Sequence, residues 1–299
     1  MISAKIIADS YNVLQDSRIT TFELVYPRFI HGELMTHRVF SRNAASSRAI
    51  PIDKVIELVV TSPAMPVHWG ANQAGMQAKE EIVSKDLAKL LWLNSRDSAV
   101  ANARLLQTAG LHKQIVNRVL EPFQLMKTIV TSTQWNNWFW LRDHEDAQPE
   151  IAELAAVMSI AYDANEPEIL VEGEWHVPYV NTIIDRYRGR LYLDENDKYV
   201  TVEEARMISA SCCAQVSYRK NDGSLEKASM VFDRLINSVP VHASPVEHIA
   251  TPIPYTSDAM DYFGIEGVTH INKDGVPFSG NLHGWIQFRQ LVPNNVKEL

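Results

Sequence analysis

The sequence predicts an α/β (α+β) fold in which a mixed sheet packs with long helices. Three observations lead there. Residues 4–8 and 20–26 concentrate β-formers, and Thr20-Thr21-Phe22-Glu23-Leu24-Val25-Tyr26 is the clearest run. Much longer stretches in the middle of the chain carry apolar residues at helical spacing. No internal repeat or low-complexity linker divides the 299 residues, so one α/β unit over 1–299 is the simplest organisation.

Taken in order, Pro27 ends the second strand. Apolar residues at Ile30, Leu34, Met35 and Phe40 then predict a short helix over 30–40, running into a polar loop at 41–47. Long helices are expected at 74–94 and 98–118, with another over about 122–140. Pro149 and Glu150 suit a first helical turn and open a helix over 148–163. Composition changes from 171 to 202, which reads as a hairpin insertion, where residues 190–202 form two strands around the acidic turn Asp194-Glu195-Asn196-Asp197. Helices return at 202–213 and 225–238. From 252 the tail is rich in Pro, Gly and Asn and reads as irregular.

Composition bounds the function. A net charge of -8 argues against sequence-independent nucleic-acid binding, which needs many cations on phosphates, but leaves room for one small anionic ligand. The two cysteines, Cys212 and Cys213, are adjacent and make no disulfide scaffold. No stretch approaches the roughly 20 apolar residues that span a bilayer, and the start Met1-Ile2-Ser3-Ala4-Lys5 is unlike a signal peptide. A cytoplasmic setting is expected, in a bacterium or a phage-infected cell. Neither G-x-G-x-x-G nor a P-loop occurs, nor His-Glu-x-x-His, so a Rossmann site and a metal site are not expected.

The chemistry concentrates between Glu33 and Arg48. His37, Arg38, Arg42 and Arg48 stand close together, with Ser41, Asn43, Ser46 and Ser47 between them. Guanidinium groups bind phosphate bidentately, and hydroxyls with loop N–H groups supply further donors. By composition alone, the commoner reading of such a cluster is a solvated loop whose arginines pair surface carboxylates. The spacing is more specific. The run His37-Arg38-Val39-Phe40-Ser41-Arg42-Asn43-Ala44-Ala45-Ser46-Ser47-Arg48 resembles the signature of the flavin-dependent thymidylate synthases. His37, Arg38, Ser41, Asn43, Ser46 and Arg48 fall on that family's spacing, while Thr36 replaces its first arginine and Ala44 its glutamate.

Three further stretches resemble the same family. Asn136-Asn137-Trp138-Phe139-Trp140-Leu141-Arg142 and the following Ala147-Gln148-Pro149-Glu150-Ile151 match a segment whose arginine contacts flavin, which makes Arg142 its counterpart. Ala152 stands where an arginine often touches the nucleotide, and Lys127 lies where the family keeps a phosphate-binding arginine. Ser211 to Tyr218 is similar to Ala-Arg-Val-Ser-Phe, and His242-Ala243-Ser244-Pro245-Val246-Glu247-His248 to His-x-Thr-Pro-x-Glu-His. In the family these last two precede the signature; here they follow it. A circular permutation produces that order, provided the old termini lie close. Read without the family, His242 and His248 are more simply core or cap histidines, and Ser244-Pro245 a helix start.

The resemblance implies reductive methylation of dUMP to dTMP. Methylenetetrahydrofolate would donate the carbon, and FAD reduced by NADPH the hydride. It assigns Ser46, Arg48, Lys127 and Asn43 to the pyrimidine deoxynucleotide. It assigns His37, Arg38, Arg142, Ser217, His242 and Ser244 to the flavin, with Arg48, Ser46 and His37 closest to the chemistry. It also implies a homo-oligomer, a tetramer by analogy. The altered positions Glu33, Thr36, Ala44 and Ala152 leave open a pyrimidine hydroxymethylase or an enzyme acting on a cytosine nucleotide, and a non-catalytic nucleotide-binding protein is a further alternative. Residues 171–190 have no counterpart in the family and read as a solvated flank, a lid or a replacement nucleotide contact. Gln287 and Arg289 could restore a phosphate contact where the family's glutamine is replaced by Glu33.

Overall fold

The computed structural model describes residues 1–217 and 221–297. Tyr218, the last residue of the Ser211 stretch, lies outside them. The architecture is mixed α+β. Strand β1 (Ser3–Asn12) pairs antiparallel with β2 (Ser17–Pro27), with a register shift between Ile6 and Ala8. After the one-turn helix α1 (His31–Leu34) comes β3 (Ser41–Ala44). Helices α2 (Ile52–Thr61), α3 (Lys85–Thr108) and the short α4 (Lys113–Val116) lead to β4 (Leu125–Ser132). Then follow α5 (Asn136–Arg142), α6 (Pro149–Ala164) and β5 (Glu168–Ile169), which completes a five-stranded sheet of order β3-β4-β2-β1-β5.

Four expectations differ from this arrangement. The stretch 122–140 is not one helix. Thr128-Ile129-Val130-Thr131 is a β-branched run that pairs along β2, from Thr20 opposite Ser132 to Pro27 opposite Leu125. Residues 41–47 are not wholly a loop, because Ser41 to Ala44 find partners on β4, and a tertiary ladder overrides a polar local sequence. The two helices expected at 74–94 and 98–118 are one 24-residue helix, α3. It ends where Gly110 takes φ +84, a left-handed conformation open to glycine at little cost. The helix expected over 30–40 is only the turn α1.

Period-2 alternation explains why this sheet is covered on both faces. Phe22, Leu24 and Tyr26 point to a core shared with Trp135, Trp138 and the α6 residues Ile151, Leu154 and Met158. Gln148 caps α6 by accepting from the Ile151 N–H, and the Glu150 carboxylate in its first turn accepts from the Val67 N–H.

The opposite face takes the C-terminal half. Strands β6 (Asn181–Asp185), β7 (Gly189–Leu193) and β8 (Tyr199–Val200) form an antiparallel sheet, including the two strands expected around the acidic turn. Helix α7 (Val202–Ala214) starts in a capping box between Thr201 and Glu204, and α8 (Leu225–Ile236) is capped by Ser224. The tail is irregular but pinned by short strands: β9 (Ala250–Pro252), β10 (His270–Ile271), β11 (Pro277–Ser279), β12 (Leu282–His283) and β13 (Trp285–Gln287).

A chain of hydroxyls and imidazoles fastens the two halves. Ser10 Oγ lies 2.9 Å from His176 Nδ1, and His176 Nε2 lies 2.8 Å from Thr21 Oγ1. Thr21 continues to Thr131 at 2.7 Å, and Thr131 to His248 Nδ1 at 2.8 Å. Both histidines are fully buried, and burial pushes each imidazole down to about 3, so both are neutral at neutral pH.

Candidate functional site

Edge strand β3 organises the site, because the signature turns into it at one end and out of it at the other. Before β3, His37 is buried with its ring stacked on Phe40 and edge-on to Trp138 at 4.7 Å. Arg142, at the end of α5, donates from Nε to His37 Nε2 at 3.1 Å and from a terminal nitrogen to Thr36 Oγ1. A guanidinium stays protonated, so Nε2 is the acceptor and the imidazole proton sits on Nδ1. Desolvation, then the charges of Arg142 and Arg42, lower the His37 pKa. Glu33 faces Arg142 at 3.9 Å. Arg42 is turned inward, donating to the carbonyls of Met35 and His37 and bracing the turn that presents His37. Arg38 is exposed beside this cluster.

Beyond β3, Ser217 Oγ accepts from the Ser46 N–H at 2.9 Å, and Ser46 Oγ accepts from the Arg48 N–H at 3.3 Å. Asn43 donates its amide to the Cys213 carbonyl, tying the strand to the end of α7. Arg48 is exposed. Lys127, the adjacent position on β4, forms an ion pair with Glu23 at 2.8 Å, so its charge is already matched. Its carbonyl accepts from the Ala45 N–H.

The downstream segment also reaches β3. The 3-10 turn Ser244–His248 packs against it, with His248 on Thr131 and the Glu247 carbonyl accepting from Gln287. Gln287 is buried and also bonds Ser41 Oγ and Asn281 Oδ1, each at 3.0 Å. Arg289 pairs with Glu247. Gln287 and Arg289 therefore bind this turn to the signature strand and are not turned outward as free phosphate contacts. Ser244 and His242 are exposed, and the His242 N–H is bound to the Leu235 carbonyl.

Of the residues expected from sequence, the structure thus joins Arg142 with His37, Ser217 with Ser46, and Asn43 with α7. No contact joins His242 to His37 among the described residues. Glu23 and Tyr179 were missed. Glu23 lies on the face of β2 that the C-terminal half covers, beside Thr21, and nothing in the local sequence shows that cover; Tyr179 lies in a segment without a counterpart. Among the described residues no cluster of His, Cys, Asp and Glu could hold a metal ion. No helix there is long and apolar enough to cross a membrane.

A family model described as thymidylate synthase complementing protein matches residues 11–167. That is more than half of the chain, and the chain belongs to this family. The matched stretch contains the signature, Lys127 and Arg142, and ends before Ser217, His242 and Ser244. Among solved structures the chain is similar to a UMP/dUMP methylase PolB from Streptomyces cacaoi bound with 5-Br dUMP, at 16% identity, TM-score 0.44, over 54% of this chain and 90% of that one. The same protein bound with 5-Br UMP gives 18% identity, TM-score 0.44, over 54% and 88%. No curated protein matches in sequence.

Proposed function

We propose that this protein is a pyrimidine-nucleotide methylase that converts dUMP to dTMP reductively, with methylenetetrahydrofolate as carbon donor and FAD reduced by NADPH. The observation that carries this reading is the convergence on β3, where Arg142 meets His37 at one end and Ser217 meets Ser46 at the other. The segments of Ser217 and Ser244, which precede the signature in the family and follow it here, both meet the signature strand, as a circular permutation requires. Chain order is free to change when the packed layers are kept.

The residues around His37 fit a flavin. Arg38 and Arg142 offer charge to a pyrophosphate, and Phe40 and Trp138, packed in the core, hold the neutral His37 ring beside them. FAD, when bound, supplies the hydride chemistry, and the chain's own groups bind and orient. Ser46, Arg48 and Asn43 hold the nucleotide, and Ser217 fixes the Ser46 backbone. His242 and Ser244 border the flavin end. Both thiols are unsuited to attack on a base: burial pushes Cys212 up to about 12 and Cys213 well above its ordinary value. The Glu33 carboxylate, which could accept from a cytosine amino group, is turned to Arg142. Subunits associate as in the family, and exposed Leu87, Leu90, Leu91 and Leu105 on α3 provide an apolar surface for it.

Titration of the protein with FAD, followed by absorbance, tests the flavin assignment. Wild-type protein should bind, and Arg142→Ala should weaken binding about tenfold or more, because one charge-assisted contact is worth roughly 1.5–3 kcal/mol. Unchanged affinity in a folded Arg142→Ala protein would remove Arg142 from the site.

A further inference from the structure

From the contacts of Tyr179 we infer that Tyr179 and Glu23 form a latch on Lys127 that sets how tightly the nucleotide end of the site takes a phosphate. The inference rests on the pyrimidine-nucleotide reading of the site. Three features meet here. Tyr179 has φ +68, a left-handed conformation that a bulky side chain adopts only when its surroundings impose it. Its hydroxyl donates to Glu23 Oε2 at 2.6 Å, and the same oxygen takes Lys127 Nζ at 2.8 Å. Its ring packs on Ile129, Cys213 and Val216, directly before Ser217, whose hydroxyl holds the Ser46 N–H.

These contacts close a ring. Tyr179 leads through Glu23 to Lys127, the Lys127 carbonyl holds Ala45, Ala45 adjoins Ser46, and Ser46 returns through Ser217 to the helix under Tyr179. Tyr179 belongs to the segment 171–190, which follows the stretch that the family model matches.

The chemistry follows from charge. Lys127 and Glu23 are both partly exposed, so an incoming anion reaches them. A phosphate dianion can recruit Lys127 only by drawing it from Glu23, and it meets repulsion from that carboxylate. The Tyr179 hydroxyl then holds Glu23 with the short, charge-assisted bond that it already makes, away from the phosphate. Glu23 therefore opposes phosphate binding and Tyr179 favours it.

The two isosteric variants should move affinity in opposite directions, which a merely structural pair would not do. Calorimetric titration of FAD-supplemented protein with dUMP and with deoxyuridine measures this. Glu23→Gln should tighten dUMP roughly three- to tenfold by freeing Lys127. Tyr179→Phe should weaken dUMP by a similar factor, and both variants should bind deoxyuridine as the wild type does. If wild-type protein binds dUMP but the two variants shift it in the same direction, or shift deoxyuridine equally, the latch is overturned and the functional reading stands. If wild-type protein binds no dUMP, the functional reading fails and the latch falls with it.

Discussion

Replacing His176 with alanine should cost the protein about 3–4 kcal/mol of stability, one of the largest losses available from a single substitution. The imidazole is fully buried and bonds both Ser10 and Thr21 between the sheet and the C-terminal half. Removing it leaves a void against Trp285, whose ring centre lies 6.3 Å away, and strips the Ser10 hydroxyl of its partner. Thr21 keeps its bond to Thr131, which limits the damage. Urea unfolding at neutral pH measures the loss. A change below about 1 kcal/mol would mean that the site collapses or hydrates without penalty, contrary to the tight packing described.

Mild acid should destabilise the protein through the same chain. His176 and His248 are lowered by burial from 6.5 to about 3 in the folded state. A depressed folded value means that the unfolded chain binds protons first. The contribution is therefore full above 6.5 and is lost progressively as pH falls from there toward 3. Each histidine adds a slope of up to about 1.4 kcal/mol per pH unit within that window. Glu247 acts oppositely just above 4.5, because burial raises its carboxyl and acidification there favours the folded form. Unfolding at pH 7.5 and 5.5 should show a clear drop at the lower pH, and a flat profile would contradict the buried, neutral assignment.

Much of the fold was legible because local and tertiary signals agreed. The β-formers of β2, the Pro149 start of α6 and the acidic turn between β7 and β8 each state their element in a few residues. Failures fell where a partner decides. Thr128 to Thr131 are strand because β2 lies alongside, and Ser41 to Ala44 because β4 does. The site divided in the same way. His37, Arg142, Ser46 and Ser217 stood out through a spacing resemblance, and contacts join them in pairs. Their second partners did not. Glu23, Tyr179, Thr131 and His176 act through neighbours more than 100 residues away in sequence, and no local pattern records such a pairing.

The central claim is the reaction, and one measurement reaches it directly. Protein loaded with FAD and reduced anaerobically should be mixed with methylenetetrahydrofolate and dUMP, with dCMP in a parallel sample. The absorbance of oxidised flavin should return only with dUMP, and the product should be dTMP by mass, one CH2 heavier than the substrate. Unchanged dUMP with flavin still reduced would contradict the account, as would a hydroxymethylated product or preferential turnover of dCMP.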